Sequence, residues 1–186
     1  ALGVGILSAA LKKNALSDEG YRQMLASTTQ LNAVGSRLAE VPGVHAMTDV
    51  TGFGLLGHLA EVCRGSELGA HIAFESLPVI PAALPLAQQG FSTGAATRNW
   101  ASYGHIVRLS PDLAPWQQAL LCDPQTSGGL LVSCAPAAVP EVLALFRREG
   151  FAAAARIGQM CAGAPVIRVE QTSDMSDPAA PSTIPC

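Results

Sequence analysis

The sequence is poor in charged residues. Only 13% of its 186 residues are Asp, Glu, Lys or Arg, against about 25% in an average soluble domain. The eleven basic residues are scattered among fourteen acidic ones, for a formal net charge of −3. Because proteins that bind nucleic acids gather positive charge on one face, we expect no nucleic-acid partner. Hydrophobic residues make up 49% of the chain, which indicates either an apolar surface that another domain covers or simply many small alanine side chains.

The sequence also lacks a long uninterrupted apolar segment. Proline, glycine or a charged residue breaks each apolar run well before the roughly 20 residues that a membrane-spanning helix needs. No basic segment leads into a signal-type hydrophobic core near the amino terminus. We therefore expect a soluble, cytoplasmic protein that has no membrane partner.

The cysteines and histidines are not spaced as metal ligands. None of the five cysteines forms a CxxC pair, and the four histidines have no metal-ligand spacing, so no zinc site is predicted. Cys122 lies beside a glycine-rich turn, but the sequence shows no base that would activate it as a nucleophile. Packing is therefore the favoured role for this thiol.

The length of the chain fits one domain with a single core. Residues 172–186 are mostly Ser, Pro, Asp and Thr with little to bury, so we expect a domain at 1–171 followed by a disordered tail. Helix and strand patterns alternate irregularly, which favours the α+β class over a doubly wound sheet.

Hydrophobic periodicity and the positions of Gly, Pro and capping residues predict the individual elements. Strands are predicted at 2–9, 44–48, 70–75 and 130–132, with a terminal strand pair at 154–159 and 166–170. Helices are predicted from the Ser17 cap to Pro42 and at 55–64, 81–90, 110–121 and 136–149. A long loop is predicted at 91–104.

A glycine-rich turn around Asp49 is the most informative part of the sequence. It joins a predicted strand to a predicted helix, where free backbone N–H groups can meet phosphate. A lone Asp in such a place is most often a helix cap, but Thr48, Thr51, Gly52 and Gly54 surround this one. An anion would be repelled by Asp49 unless a cation lay between them, and Mg²⁺ is commonly held by carboxylate and phosphate oxygens together. The turn therefore predicts a phosphate contact mediated by Mg²⁺.

Two other segments are candidates for ligand contact. Residues 122–129 form a second polar, glycine-rich turn whose hydroxyls and backbone favour an anion, although such turns often only connect a helix to a strand. Thr97, Arg98 and Asn99 offer a group of donors suited to phosphate, or are ordinary surface residues. His58 is interpreted as a structural or capping group rather than a base. No pair of nucleophile and general base emerges, so the chain resembles half of an active site.

Three blocks of sequence resemble one known family. They are HAMTDVTGFGLLGHLAEV at 45–62, TRNWASYG at 97–104 and LLCDPQTSGGLLVS at 120–133. Over about residues 2–170 the chain is similar to the C-terminal domain of selenophosphate synthetase, also called selenide, water dikinase. The superfamily of that enzyme includes aminoimidazole ribonucleotide synthetase, the hydrogenase maturation dehydratase and thiamine monophosphate kinase.

The resemblance implies an α+β domain of the aminoimidazole ribonucleotide synthetase type, with a mixed sheet flanked by helices. Such a domain closes over an N-terminal domain that forms a homodimer. The family converts selenide, ATP and water to selenophosphate, orthophosphate and AMP. By resemblance, Asp49 is the one aspartate that this domain contributes to the Mg²⁺ ions on ATP, and Thr48, Thr51 and Gly52 line the phosphates.

The segment that carries the family's catalytic Cys or selenocysteine, its Lys and its other metal-binding aspartates does not occur in the 186 residues. We therefore expect this chain alone to be inactive. Two alternatives remain open: the corresponding domain of another ATP-dependent synthetase of the superfamily, and a non-catalytic binding module.

Overall fold

The structure is a computed structural model that describes residues 1–172. The tail expected at 172–186 therefore lies, apart from Thr172, outside the described residues. The helices of the described part are α1 (Val4–Lys12), α2 (Asp18–Thr29), α3 (Val34–Leu38), α4 (Gly54–Ser66), α5 (Ala83–Gln88), α6 (Gly94–Tyr103), α7 (Pro115–Leu121) and α8 (Val139–Arg148). Its strands are β1 (Val44–Asp49), β2 (Leu68–Ala73), β3 (Val107–Leu109), β4 (Leu130–Cys134), β5 (Gly158–Ala162) and β6 (Ile167–Glu170).

The strands of residues 1–172 form two sheets. A four-stranded sheet has the order β3-β6-β2-β5; β2 is parallel to β6 and antiparallel to β5, and β3 is parallel to β6. The second sheet is the antiparallel pair of β1 and β4. Parallel and antiparallel pairs occur in one sheet with helices around it, so the predicted α+β class with a mixed sheet is confirmed.

Each sheet has its own hydrophobic core. Helix α4 packs on β2 and β6, where Leu56, Ile72 and Ile167 are buried. Against the smaller sheet lies a second cluster that includes Leu38 of α3 and Phe146 of α8. Between these two cores runs the connection from β1 to α4, which holds the glycine-rich turn around Asp49.

Most elements with a strong local signal form where the sequence predicts them. Ser17 caps α2 by accepting a hydrogen bond from the Gly20 N–H at 3.1 Å, as the Ser17-Asp18-Glu19 pattern indicates. Strands β1, β2 and β4 and helices α4, α5 and α8 also lie at their predicted positions, with bounds shifted by a few residues.

The prediction of a strand at 2–9 is wrong. Only Leu2 pairs in strand fashion, with Val79, and helix α1 begins at Val4. Residues 2–7 are all buried, and a continuously buried run has no period that distinguishes a strand from a helix.

The loop predicted at 91–104 is also wrong, because residues 94–103 form helix α6. Thr93 caps it by accepting a hydrogen bond from the Ala96 N–H at 3.1 Å. The large apolar residues of this segment are only Phe91, Trp100 and Tyr103, so its helical period is weak in the sequence although its cap is an ordinary one.

Three further predictions differ from the structure in detail. The helix predicted from Ser17 to Pro42 breaks after Thr29, because Gln30 adopts an extended conformation. The helix predicted from residue 110 begins only at Pro115. Strands β5 and β6 both exist, but they do not pair with each other, since β2 lies between them; sequence patterns do not reveal which strands are neighbours.

No helix within residues 1–172 is both long enough and apolar enough to cross a bilayer.

Candidate functional site

The two glycine-rich turns lie against each other. We call residues 49–54 the Asp49 turn and residues 122–129 the Asp123 turn. The Val50 N–H donates to the Gly129 carbonyl at 2.9 Å, and the Gln125 N–H donates to the Thr51 carbonyl at 3.0 Å. The pairing of β1 with β4 sets Asp49 opposite Leu130. Two segments separated by about seventy residues of sequence are therefore in direct contact.

Two glycines permit this close approach. A Cβ atom at Gly128 would lie 1.7 Å from the Val50 carbonyl oxygen. One at Gly54 would lie 2.7 Å from the carbonyl carbon of Cys122, and Gly54 has a φ of +69°, which disfavours a side chain. These glycines are therefore required by contact between the turns, whether or not a ligand is present.

Helix α6 bridges the two turns through Asn99. Its side-chain amide donates to the Gly52 carbonyl at 2.9 Å and to the Cys122 carbonyl at 3.0 Å. One turn of helix later, the Tyr103 hydroxyl donates to the Phe53 carbonyl at 2.6 Å. Asn99 is buried, so its donors hold the turns together and are not free for a ligand. Arg98 is exposed.

The polar side chains of the Asp123 turn cap helix α1. The Asp123 Oδ2 accepts hydrogen bonds from the N–H groups of Gly5 at 2.9 Å and Ile6 at 3.3 Å. The Gln125 Oε1 accepts hydrogen bonds from the N–H groups of Gly3 and Val4, both at 3.1 Å. Backbone donors at a helix start have no partner within the helix, so this turn serves the fold.

Asp123 is completely buried. Burial raises the pKa of its carboxyl group to about 7, although hydrogen bonds from Ile6, Gln125 and Gly5 act in the opposite direction. The Oδ1 atom has no hydrogen-bond partner within the described residues. The sequence does not identify Asp123 or Gln125 as a cap of α1, because the N–H groups that they bind lie far away in the sequence.

Asp49, in contrast, faces outward. It is the last residue of β1 and is exposed, and none of the hydrogen bonds or ion pairs of residues 1–172 involves its carboxylate. The Thr48 hydroxyl donates to the Asp49 carbonyl at 3.2 Å. An exposed carboxylate without a protein partner fits a ligand of a hard divalent cation.

Gly52 leaves open space beside Asp49. A Cβ atom at Gly52 would meet nothing within 4 Å, and the residue is exposed. The packing of this chain therefore does not require a glycine here, in contrast to Gly54 and Gly128. Open space of this kind is what close approach of a ligand to the backbone requires.

Thr51 begins a short chain of hydrogen bonds. Its hydroxyl lies 3.2 Å from His58 Nε2, and His58 Nδ1 lies 3.2 Å from Glu61 Oε2. Because the Glu61 carboxylate lies beside Nδ1 of His58, the tautomer protonated on Nδ1 is favoured. The Nε2 atom then accepts a hydrogen bond from the Thr51 hydroxyl. His58 is buried and holds Thr51 in place, which agrees with the structural role expected for it.

The thiol of Cys122 is not an activated nucleophile. Its side chain is buried in the main core, and burial raises its pKa to about 11. The thiol therefore stays protonated at neutral pH, and the expected packing role is confirmed.

The described residues do not form a complete metal site. No group of three or more His, Cys, Asp and Glu side chains within residues 1–172 is arranged to hold a metal ion. A cation bound at Asp49 therefore needs further ligands from phosphate, water or another part of the protein.

The fold also occurs in solved structures of other proteins. The structure is similar to that of the E. coli hydrogenase maturation protein HypE, with a TM-score of 0.63 and 20% sequence identity over 96% of this chain and 49% of that one. At this identity the likeness concerns the fold alone. The chain belongs to the family of AIR synthase related proteins, whose C-terminal domain it matches over residues 1–170.

Two similar relatives within this family share a name. A selenide, water dikinase of Pseudomonas straminea is 60% identical over 168 residues, which are 90% of this chain and 47% of the relative. A selenide, water dikinase of Burkholderia orbicola (strain MC0-3) is 59% identical over 162 residues, or 87% of this chain and 46% of the relative. The chain thus spans about half the length of these relatives, and the resemblance noted in the sequence is confirmed.

Proposed function

We propose that residues 1–171 are the C-terminal, ATP-closing domain of a selenide, water dikinase. In this proposal the whole protein converts selenide, ATP and water to selenophosphate, orthophosphate and AMP. The observation that carries it is the identity of about 60% to relatives of that name over nearly the whole domain. HypE shares the fold at only 20% identity, so the fold alone would not distinguish the members of the superfamily.

Asp49 is the residue that we propose as a ligand of Mg²⁺. Its exposed carboxylate ends β1 at the edge of the Asp49 turn and has no protein partner in the described residues. When bound, Mg²⁺ neutralises the charge of ATP phosphate oxygens. Asp49 would hold the cation on this side of the nucleotide, and the remaining aspartate ligands would come from an N-terminal domain.

Thr48, Thr51 and Gly52 are proposed to line the phosphates. The open space beside Gly52 lets a phosphate oxygen approach the backbone, and Thr51 is held at the rim by His58. Because Asn99 and Tyr103 fix the carbonyls of Gly52 and Phe53, the rim is preorganised before a nucleotide binds.

The rest of the proposal concerns the whole protein and rests on family resemblance. A second, N-terminal domain supplies the nucleophile and forms a homodimer in the cytoplasm, while this chain alone is inactive. Splitting two phosphoanhydride bonds requires several charges around the phosphates, and the Asp49 turn supplies one carboxylate.

Replacement of Asp49 tests the proposal. In a protein that carries this chain together with an N-terminal domain of the family, Asp49→Asn should lower selenide-dependent AMP formation at least about 100-fold, the usual cost of losing one group that stabilises transition-state charge. Excess Mg²⁺ should restore part of the rate, because the variant retains the other ligands.

Glu141→Gln is the matched control, since it removes an exposed carboxylate of α8, outside both glycine-rich turns, and should leave the rate unchanged. Mg²⁺-dependent turnover by Asp49→Asn at the parental rate would refute the metal role. If AMP formed equally well without selenide, another synthetase of the superfamily would be the better assignment.

A further inference from the structure

A second polar site lies on the four-stranded sheet, away from both glycine-rich turns. A cavity of about 400 Å³ opens where β3 and β6 end. We call it the Arg pocket. Its polar lining includes Arg108, Ser110, Asp112, Arg168, Glu170 and Gln171. None of these residues belongs to the Asp49 turn or the Asp123 turn.

Two arginines face each other across the strands of this pocket. Arg108 of β3 and Arg168 of β6 are direct partners in the parallel register. Like charges at directly opposed positions of a sheet are destabilising. Their pairing here therefore calls for an interaction that compensates it.

The described residues do not supply that interaction. No ion pair in residues 1–172 joins either arginine to a carboxylate. The Nε of Arg168 is buried without a hydrogen-bond partner, which is costly for a charged donor. Arg108 is held at the pocket by its Nη1, which donates to the carbonyls of His105 at 2.9 Å and Val107 at 3.1 Å.

The two carboxylates of the pocket already have neighbours. Glu170 Oε2 lies 3.2 Å from Nε2 of His71, and Asp112 Oδ2 lies 3.5 Å from the Ser110 hydroxyl. Neither carboxylate contacts an arginine, so the Nε–H of Arg168 is the buried charged donor that the pocket leaves without a partner.

The position of the pocket also favours a ligand. β3 and β6 are parallel, and the pocket includes the residues that follow each of them, Ser110 and Gln171. Crevices beyond the carboxyl ends of parallel strands are common ligand sites in open sheets. Planar guanidinium groups suit phosphate oxygens, which they bind in pairs of hydrogen bonds.

We propose that the Arg pocket binds a small phosphate-bearing anion, at a site separate from the proposed ATP phosphates at Asp49. Arg168 and Arg108 donate hydrogen bonds to the phosphate oxygens, and the Ser110 hydroxyl is a further donor. The volume exceeds that of one phosphate group, so a phosphorylated small molecule fits the pocket as well as inorganic phosphate does.

Titration of the 186-residue chain with inorganic phosphate tests the site. We expect saturable binding, with amide NMR shifts concentrated at residues 107–112 and 167–172. Arg168→Gln and Arg108→Gln should each weaken binding at least about fivefold. Arg168→Lys retains the positive charge but loses the paired N–H donors of the guanidinium group. Its phosphate affinity should therefore lie between those of the parent and Arg168→Gln.

Arg147→Gln is the matched control, because it removes one exposed arginine of α8 and should leave phosphate affinity unchanged. Each arginine variant is first compared with the parent by circular dichroism and thermal unfolding, so that loss of binding is not confused with loss of fold. Acetate, titrated in the same way, distinguishes a phosphate site from a general anion site.

Three results would overturn the proposal: no saturable phosphate binding, equal affinity in Arg168→Gln and Arg147→Gln, or acetate binding as tight as that of phosphate. Shifts confined to residues 49–54 would also count against it, since they would place the phosphate at the Asp49 turn. Because the readout is binding and not turnover, failure here leaves the proposed dikinase function untouched.

Discussion

The glycines of the Asp49 turn have different physical roles although they lie two residues apart. Gly54 has a positive φ, and a side chain there would meet the backbone of Cys122, whereas Gly52 faces open space. The sequence predicts a glycine-rich turn, but it does not show which glycine serves the fold. That distinction depends on the Asp123 turn, which lies about seventy residues away in the sequence.

Alanine substitutions should separate these two roles. Gly54→Ala should lower the free energy of unfolding by about 2 kcal/mol or more, because it adds a close contact to an unfavourable φ. Gly52→Ala should change it by less than about 1 kcal/mol. Urea unfolding of the 186-residue chain measures both.

Catalytic activity should distinguish the two glycines in the opposite way: in folded protein, Gly52→Ala should lower activity more than Gly54→Ala does. In a protein with both domains, Gly52→Ala should reduce ATP-dependent turnover, since its methyl group occupies the space proposed for a phosphate. Parental turnover by Gly52→Ala would contradict the role of Gly52, and equal stability of the two variants would contradict the packing argument for Gly54.

The site residues are predictable from sequence to different degrees. Asp49 lies at a strand end, and its outward direction agrees with the prediction of a cation ligand, which itself stays a prediction. The sequence predicts Asn99 among phosphate donors, yet its side-chain amide donates to the backbone carbonyls of Gly52 and Cys122. An amide side chain suits either role, and only the tertiary neighbours decide between them.

At the scale of elements, local signals succeed where they are strong. The Ser17 cap places α2 correctly, and the alternating pattern of residues 70–75 places β2. Helix α1 was missed because its first N–H groups are capped by Asp123 and Gln125, which lie far away in the sequence. A helix stabilised by distant caps has no start signal of its own to recognise.

The attachment of α1 to the Asp123 turn predicts a pH dependence of stability. The pKa of Asp123 is about 7 in the folded protein, above the ordinary 3.8 of an aspartate. The folded state therefore binds more protons than the unfolded state between about pH 4 and pH 7. Its free energy of unfolding should fall as pH rises through that range, by at most about 1.4 kcal/mol per pH unit, and level off above it.

Asp123→Asn retains an oxygen that can accept from Gly5 and Ile6 but cannot ionise, so this part of the pH dependence should disappear. Glu141→Gln, at an exposed position of α8, should keep it. Urea unfolding of the three proteins between pH 4 and pH 8 gives the comparison. An unchanged slope in Asp123→Asn would show that the carboxylate is ionised throughout and that its hydrogen bonds outweigh burial.

At the scale of the whole molecule, a chain with few charged residues exposes several large apolar side chains on its surface. Tyr21 and Leu25 lie one helical turn apart on α2 and are 43% and 42% exposed, and Leu31 just beyond the helix is 82% exposed. We call these three side chains the α2 strip. Leu31 precedes Asn32, whose side chain donates to the Gly128 carbonyl at 2.8 Å, so the strip reaches the Asp123 turn.

The α2 strip is where the N-terminal domain of the proposed whole protein is expected to pack, because groups of exposed apolar side chains often mark an interaction surface. Without that domain, the 186-residue chain should self-associate as its concentration rises. Leu25→Gln and Leu31→Gln together should shift it toward a monomer, because they remove most of the apolar area that two copies would bury. Sedimentation velocity over a hundredfold range of concentration measures the shift.

Leu84→Gln is the control for this experiment, since Leu84 is 38% exposed but lies on α5, outside the strip. A parental chain that stays monomeric at the highest concentration would refute the prediction, as would equal self-association in the strip variant and the control. Addition of a separately produced N-terminal domain should have the same effect as the strip substitutions, because it would cover the side chains through which the copies associate. The strip variant should in turn bind that domain more weakly than the Leu84→Gln chain does.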